Sequence, residues 1–212
     1  LRKIFWKARA PSNIALIKYM GKSDASSNLP VNASLSYTLE DFFTTVTLQQ
    51  IDDVDDKLEA FEIIHGDYKL LGLSFAQISR FLNHLKRIKK LYDFQGSFQV
   101  ASTNNFPQGV GLASSASSFA ALTKCAIIAL SEITKKEMLT NSEAANVSRL
   151  ASGSSCRSFY SPWCLWDNDK ILEIKTYYPK LLHQAIVFYK KAKLISSSSA
   201  HARVKTSSYF AG

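Results

Sequence analysis

The sequence predicts an α+β fold, and three observations carry that reading. A period-two alternation runs from Ser34 to Leu48, through Leu35, Tyr37, Leu39, Val46 and Leu48 with threonines between, which marks a half-buried strand. Two stretches, Ser74 to Tyr92 and Ser114 to Leu130, have helical length, the first amphipathic and the second almost uncharged. Strands and helices are interleaved, with antiparallel strands early.

Each element follows from local chemistry. Ile4 to Tyr19 is rich in apolar residues but interrupted at Pro11-Ser12, so it reads as a strand and then a partly buried extended or helical piece. After the alternating strand, the acidic run Asp52-Asp53-Val54-Asp55-Asp56 reads as a hairpin loop, because it lacks the glycine and terminal glutamate of a calcium loop. In the first helix Phe81, Leu82, Leu85, Ile88, Leu91 and Tyr92 form the apolar stripe. The charges of the run His84-Leu85-Lys86-Arg87-Ile88-Lys89-Lys90 are thereby assigned to the opposite, solvated face. Ser97 to Ser102 reads as a strand. The helix from Ser114 to Leu130 is apolar on nearly all faces, so it must be buried on nearly all faces and central. Asn141 to Ala151 is a helix whose first residues, Asn141-Ser142-Glu143, are capping types. Short strands at Trp163 to Trp166, Ile171 to Ile174 and Ala185 to Tyr189 lead to a serine tract. No internal repeat and no linker divides this stretch.

Composition narrows the function. A chain of 212 residues, 46% hydrophobic and 20% charged, excludes disorder as the main state and supports a core without a metal or disulfide staple. Cys125, Cys156 and Cys164 are an odd set without CxxC spacing, which argues against a disulfide framework and a zinc site, and favours a reducing cytoplasm. No apolar run reaches the roughly 18 residues of a membrane span, and Leu1 to Ala10 carries charges where a signal peptide needs its apolar core. The sequence therefore reads as a soluble, cytoplasmic protein with no membrane partner. Lys+Arg 26 against Asp+Glu 17 gives a formal +9, which invites an anionic partner. Nucleic acid is disfavoured, since neither zinc-finger spacing nor the aromatic and basic pattern of an RNA-recognition strand occurs. A phosphorylated small molecule remains.

The stretch Asn105-Phe106-Pro107-Gln108-Gly109-Val110-Gly111-Leu112-Ala113-Ser114-Ser115-Ala116 opens directly into the apolar helix. Such a loop points backbone N–H groups and the positive helix end at whatever it holds, so an anion belongs there. Gly109 and Gly111 permit positive φ, and the small Ala113 and Ser114 allow close approach of a phosphate; an ordinary capped helix after a glycine turn satisfies the same stretch. It is neither a Walker loop nor GxGxxG, and no Gly-x-Ser-x-Gly occurs. Lys18 and Lys22 bracket Tyr19 beside a glycine, a poor core but a good cradle for a diphosphate. Arg157, among serines and glycine, suits either bidentate capture of a carboxylate or a structural ion pair.

Three motifs, Asn13-Ile14-Ala15-Leu16-Ile17-Lys18-Tyr19-Met20-Gly21-Lys22, the loop Phe106-Pro107 through Ala116, and Ser152-Gly153-Ser154-Ser155-Cys156-Arg157, together resemble the GHMP small-molecule kinase superfamily and, within it, the diphosphomevalonate decarboxylases. The resemblance implies a GHMP-type N-terminal domain (ribosomal protein S5 domain 2-like), a mixed sheet backed by helices, over residues 1–195, with 196–212 starting a C-terminal helical domain. It implies ATP-dependent decarboxylation of mevalonate 5-diphosphate, with ATP and Mg as cofactors and a homodimer as a possible assembly. Arg157 would hold the substrate carboxylate, Ser152 and Ser154 the diphosphate, and Tyr19 and Lys22 would line the substrate; Lys18, Ser115 and Arg157 would act in catalysis. Asn104, Pro107, Gly109, Gly111, Leu112, Ala113, Ser114 and Ser115 would form the nucleotide site, with Ser115 toward the metal. Ser196 or Ser197 matches a further substrate serine, while Met20 replaces the tryptophan and Ala200 the methionine of the family pattern. Family members also carry an aspartate in an Asp-Ala-Gly-Pro context that is absent here, so the sequence reads as a fragment or a truncated product. Two alternatives stay open: a related kinase or decarboxylase of a mevalonate monophosphate or of mevalonate itself, and a non-catalytic binding domain.

Overall fold

A long strand, β4 (Ser34–Ile51), is the spine of the sheet. In the computed structural model, which describes residues 4–24, 26–59, 73–107, 112–178, 180–184, 200–201 and 203–208, β1 (Phe5–Ile17) runs antiparallel along one edge of β4 from Gln49 to Leu35. The opposite edge is shared: β6 (Ser97–Asn104) pairs antiparallel with Thr44–Ile51, and β7 (Trp163–Asp167) pairs antiparallel with Ser34–Tyr37. β8 (Lys170–Glu173) extends the sheet beyond β7, and β5 (Lys57–Leu58) adds in parallel to β6. A small hairpin, β2 (Lys22–Asp24) with β3 (Leu29–Pro30), stands apart. The sheet is therefore mixed, as expected.

Two expectations need correction. Pro11 does not divide the first segment into two pieces. β1 passes through it, and the register shifts instead, Pro11 facing Phe43 while Ser12 faces Leu39, so the residues of β4 between Leu39 and Phe43 bulge and absorb the missing N–H. The acidic run is not a hairpin, because the strand after it joins β6 in parallel rather than returning along β4. Its last residue explains the path: Asp56 accepts the Phe98 N–H at 2.8 Å and pairs with Lys89 at 2.9 Å, which draws the loop across the end of β6.

Three helices cover one face. α1 (Phe75–Leu91) starts with a capping box of Ser74 and Gln77. α3 (Asn141–Ala151) starts with another, but its cap is Thr140, paired with Glu143, rather than Asn141. α2 (Ser114–Thr134) packs on β1 and β4 and against both other helices. The expectation that no run reaches the length of a membrane span is corrected here, since α2 passes by length and composition, but 72% of its apolar window is buried inside the protein. Leu122, Cys125 and Leu130 of α2 meet Val46 and Leu48 of β4, Val100 of β6 and Leu85 and Ile88 of α1 in one core. The indole of Trp6 donates to Glu132 at 2.8 Å, fixing β1 to the far end of α2. The basic run of α1 is solvated at Lys86, Arg87 and Lys90, but Lys89 is drawn onto Asp56 and His84, 1% exposed, belongs to the buried face: its Nε2 bonds to the Thr123 hydroxyl at 2.8 Å. All three cysteines are buried and free. The expected strand at Ala185 to Tyr189 lies outside the described residues.

Candidate functional site

The site grows out of two turns, one after a strand and one after a helix. Beyond Ile17 the chain leaves β1, Tyr19 turns inward and is buried, and Gly21 adopts φ 86°, a backbone state that only glycine takes without strain. Lys22 then opens the small hairpin, which Asn28 pins to α3 through the Arg149 and Leu150 carbonyls at 2.9 and 3.1 Å. The second place is the 3-10 turn Gly153–Phe159 that follows α3. A Cβ at Gly153 would lie 2.5 Å from the Tyr19 hydroxyl, so glycine is what lets this turn close on the tyrosine.

These two turns bring Tyr19, Lys22, Ser152, Ser154 and Arg157 together. Arg157 is 4% exposed. Its guanidinium lies 5.9 Å from the Tyr19 ring centroid and donates to the Ser34 hydroxyl, while its buried Nε has no partner. No ion pair of Arg157 occurs among the described residues, so the alternative of a structural salt bridge does not hold. Burial pushes the guanidinium below its ordinary pKa and the Tyr19 hydroxyl above its own. The Ser152 and Ser154 hydroxyls stand 3.4 Å apart at the mouth of the turn. Lys22 Nζ donates to Asn28 Oδ1 at 2.5 Å, and desolvation, aided by Arg80, lowers its pKa.

Arg80 of α1 is a member that sequence reasoning missed. It donates to the Ala151 carbonyl through Nε at 3.1 Å and also through Nη2, and its charge acts on both Lys22 and Tyr19. Its position on the flank of the apolar stripe, one residue before Phe81, does not set it apart from the other charges of α1. Asn13 opens the first of the three motifs. It ties β1 to the 3-10 turn by donating to Ser158 Oγ at 2.8 Å and the Ser154 carbonyl at 3.3 Å, while its buried Oδ1 has no partner. Lys18 is exposed; it stays at the rim, where its charge reaches His201.

The loop before α2 forms the adjoining wall. Asn104 ends β6 and accepts from the Thr44 hydroxyl at 2.7 Å; that hydroxyl also lies 2.6 Å from Ser117 on α2. Ser12 donates to the Leu112 carbonyl, bringing the loop against β1. Ala113 caps the helix with φ 48° and no side-chain bond. No side chain therefore caps the N–H groups of α2 at Ser114 and the exposed Ser115, the Ala116 N–H bonds back to the Ala113 carbonyl at 2.8 Å, and Asn104 Nδ2 is buried without a partner. Uncapped N–H groups and a spare amide suit a phosphate chain. A lone serine hydroxyl suits magnesium that arrives with phosphates, since that ion keeps most of its water; no group of three acidic, histidine or cysteine residues for a metal occurs among the described residues. Pro107 is exposed at the loop's start. Gly109, Gly111 and Ser196 lie outside the described residues.

Residues 10–176 match a family model described as the diphosphomevalonate decarboxylase-like N-terminal domain. A curated diphosphomevalonate decarboxylase of Danio rerio is 33% identical over 93% of this chain and 52% of its own length, and one of Candida albicans is 36% identical over 74% and 44%. Among solved structures, a mevalonate diphosphate decarboxylase from Legionella pneumophila is 51% identical, with a TM-score of 0.88 over 98% of this chain and 65% of that one. Another, MDDEF in complex with MVAPP, AMPPCP and magnesium, is 31% identical with a TM-score of 0.64 over 82% of this chain and 51% of that one. The chain thus spans about half the length of the curated relatives it matches.

Proposed function

The chain belongs to the diphosphomevalonate decarboxylase-like family, and from that premise we propose that it supplies the nucleotide and substrate face for ATP-dependent decarboxylation of mevalonate 5-diphosphate to isopentenyl diphosphate. One observation supports this above the others: Arg157 and Arg80 act on the buried Tyr19, Arg80 acts also on Lys22, and no described acid pairs with any of the three cations. Cations brought together without counter-charge raise the energy of the fold unless an anion repays it.

Each group then has a task. The Arg157 fork holds the carboxylate, Lys22, Tyr19, Ser152 and Ser154 hold the diphosphate, and Arg80 reinforces the field behind Lys22. Lys18 adds charge at the rim. Asn104, Ser114 and the α2 N–H groups seat the nucleotide phosphates, with the Ser115 hydroxyl toward magnesium. When bound, ATP with magnesium supplies the phosphoryl group that makes the tertiary hydroxyl a leaving group. Positioning and electrostatics dominate such chemistry. Asp24, two residues after Lys22, makes a poor base: its oxygens accept from Ser26 and Ser27, which hold its pKa at about 2.

The test is calorimetry of mevalonate diphosphate and of inorganic pyrophosphate on the 212-residue chain, with carbon dioxide release measured in parallel in the presence of Mg-ATP. Saturable binding without turnover is the expected result. Absence of saturable binding overturns the reading, and robust turnover overturns the assignment of Asp24 as a bystander.

A further inference from the structure

His201 sits against the anion site although no motif contains it. Its Nδ1 lies 3.1 Å from the Gly21 N–H, and its ring stacks on Tyr19 with centroids 4.7 Å and planes 15° apart. Trp166 meets another side of the same tyrosine edge-on at 4.7 Å, and Gly153 closes on its hydroxyl. Tyr19 is thus held from several directions, and His201 is the part of that grip contributed by the last described segment. An N–H facing Nδ1 requires that nitrogen to be an acceptor, so the imidazole is neutral and carries its proton on Nε2.

We propose that His201 is a positioning residue of the anion site: its neutral ring latches the Tyr19–Lys22 turn through Gly21 and Tyr19. The proposal rests on the anion reading above. The groups around the ring fit it. Lys18 and Lys22 act on His201 from the turn, Tyr19 lies between it and Arg157, and Arg203 is on its own segment. No carboxylate is among the groups that act on it. Burial and the two lysines therefore lower its pKa. A second ring proton would oppose the Gly21 N–H and add a further positive charge beside the lysines, so acid opens the latch.

The experiment compares inorganic pyrophosphate affinity of the wild-type chain, His201→Asn and His201→Phe between pH 7.5 and 5.5. Asparagine places an acceptor where Nδ1 stands and does not titrate; phenylalanine keeps the stack and loses the acceptor. At pH 7.5 the Asn variant is expected within about 3-fold of wild type and the Phe variant about 10-fold weaker, the scale of one hydrogen bond. Toward pH 5.5 wild type should weaken relative to Asn, the probe's own titration cancelling in the ratio. Wild-type affinity in the Phe variant, or a ratio that inverts with pH, overturns the proposal. Imidazole nitrogen shifts of the unliganded wild type provide a test that needs neither ligand nor variant: Nδ1 unprotonated at neutral pH supports the latch, and Nδ1 protonated refutes it. If the shifts show the latch but pyrophosphate does not bind, the anion reading has failed and not the latch.

Discussion

A guanidinium that is 4% exposed, with one hydroxyl acceptor, an orphaned Nε and no carboxylate, works against folding, because burial has removed water that nothing in the protein replaces. Arg157 is retained at that cost where binding needs it, so stability and affinity should move in opposite directions when it is replaced. Arg157→Met keeps the volume and removes the charge; the loss of its contact with the Tyr19 ring, about 0.5–1 kcal/mol, partly offsets the gain. The expected outcome is a chain as stable as wild type or up to about 2 kcal/mol more so, with mevalonate diphosphate affinity reduced about 30-fold or more, the lower end for breaking a desolvated charge pair. Urea denaturation and calorimetry check the two halves; a destabilised variant that still binds would contradict both. Arg157 and Tyr19 could be found in the sequence because both lie inside motifs. Arg80 and His201 could not, since each reaches the site only when α1 and the last described segment fold back on the turn after β1.

At the scale of elements, caps and patterns were legible where the physics is local. The stripe of α1 and the uncharged run of α2 fix those helices within a few residues, because periodicity and burial are written in neighbouring side chains. Pro11 and the acidic run were misread, since the bulge in β4 and the pull of Asp56 toward Lys89 and Phe98 depend on partners distant in sequence, the first on the other strand of a pair and the second on α1 and β6. The cap of α3 is Thr140, one residue before the capping types Asn141-Ser142-Glu143, and it matters to the site: α3 carries the Ser152 to Arg157 turn on its C-terminal end and holds the small hairpin through Arg149 and Asn28. Thr140→Ala removes the acceptor of the Glu143 N–H and the partner of its carboxylate. A loss of about 1 kcal/mol is expected, read as a lower urea midpoint with an unchanged slope. No change in the midpoint would mean that α3 is held by packing alone.

For the whole molecule, the response to acid is governed less by the formal +9 than by one histidine in the core. Thr123 donates to the Phe119 carbonyl at 2.7 Å, so its oxygen accepts from His84 Nε2, and Nδ1 is left buried without a partner. Burial, with Arg87 and Arg80 nearby, lowers the His84 pKa from 6.5 to about 3. The folded form then stays neutral over a range in which the unfolded chain binds a proton. Stability from this group is fully present above pH 6.5 and is lost as pH falls toward 3, at about 1.4 kcal/mol per unit, or roughly 3 kcal/mol by pH 4.5. His201, also lowered, adds a smaller slope of the same sign. His84→Gln keeps a donor to Thr123 and cannot titrate, so urea denaturation between pH 7.5 and 4.5 should show wild-type stability falling more steeply than that of the variant. Parallel curves would place the acid sensitivity elsewhere, whereas divergence beginning near pH 6.5 would tie the stability of α1 packed on α2, and with it the wall that carries Arg80, to the protonation of a single buried ring.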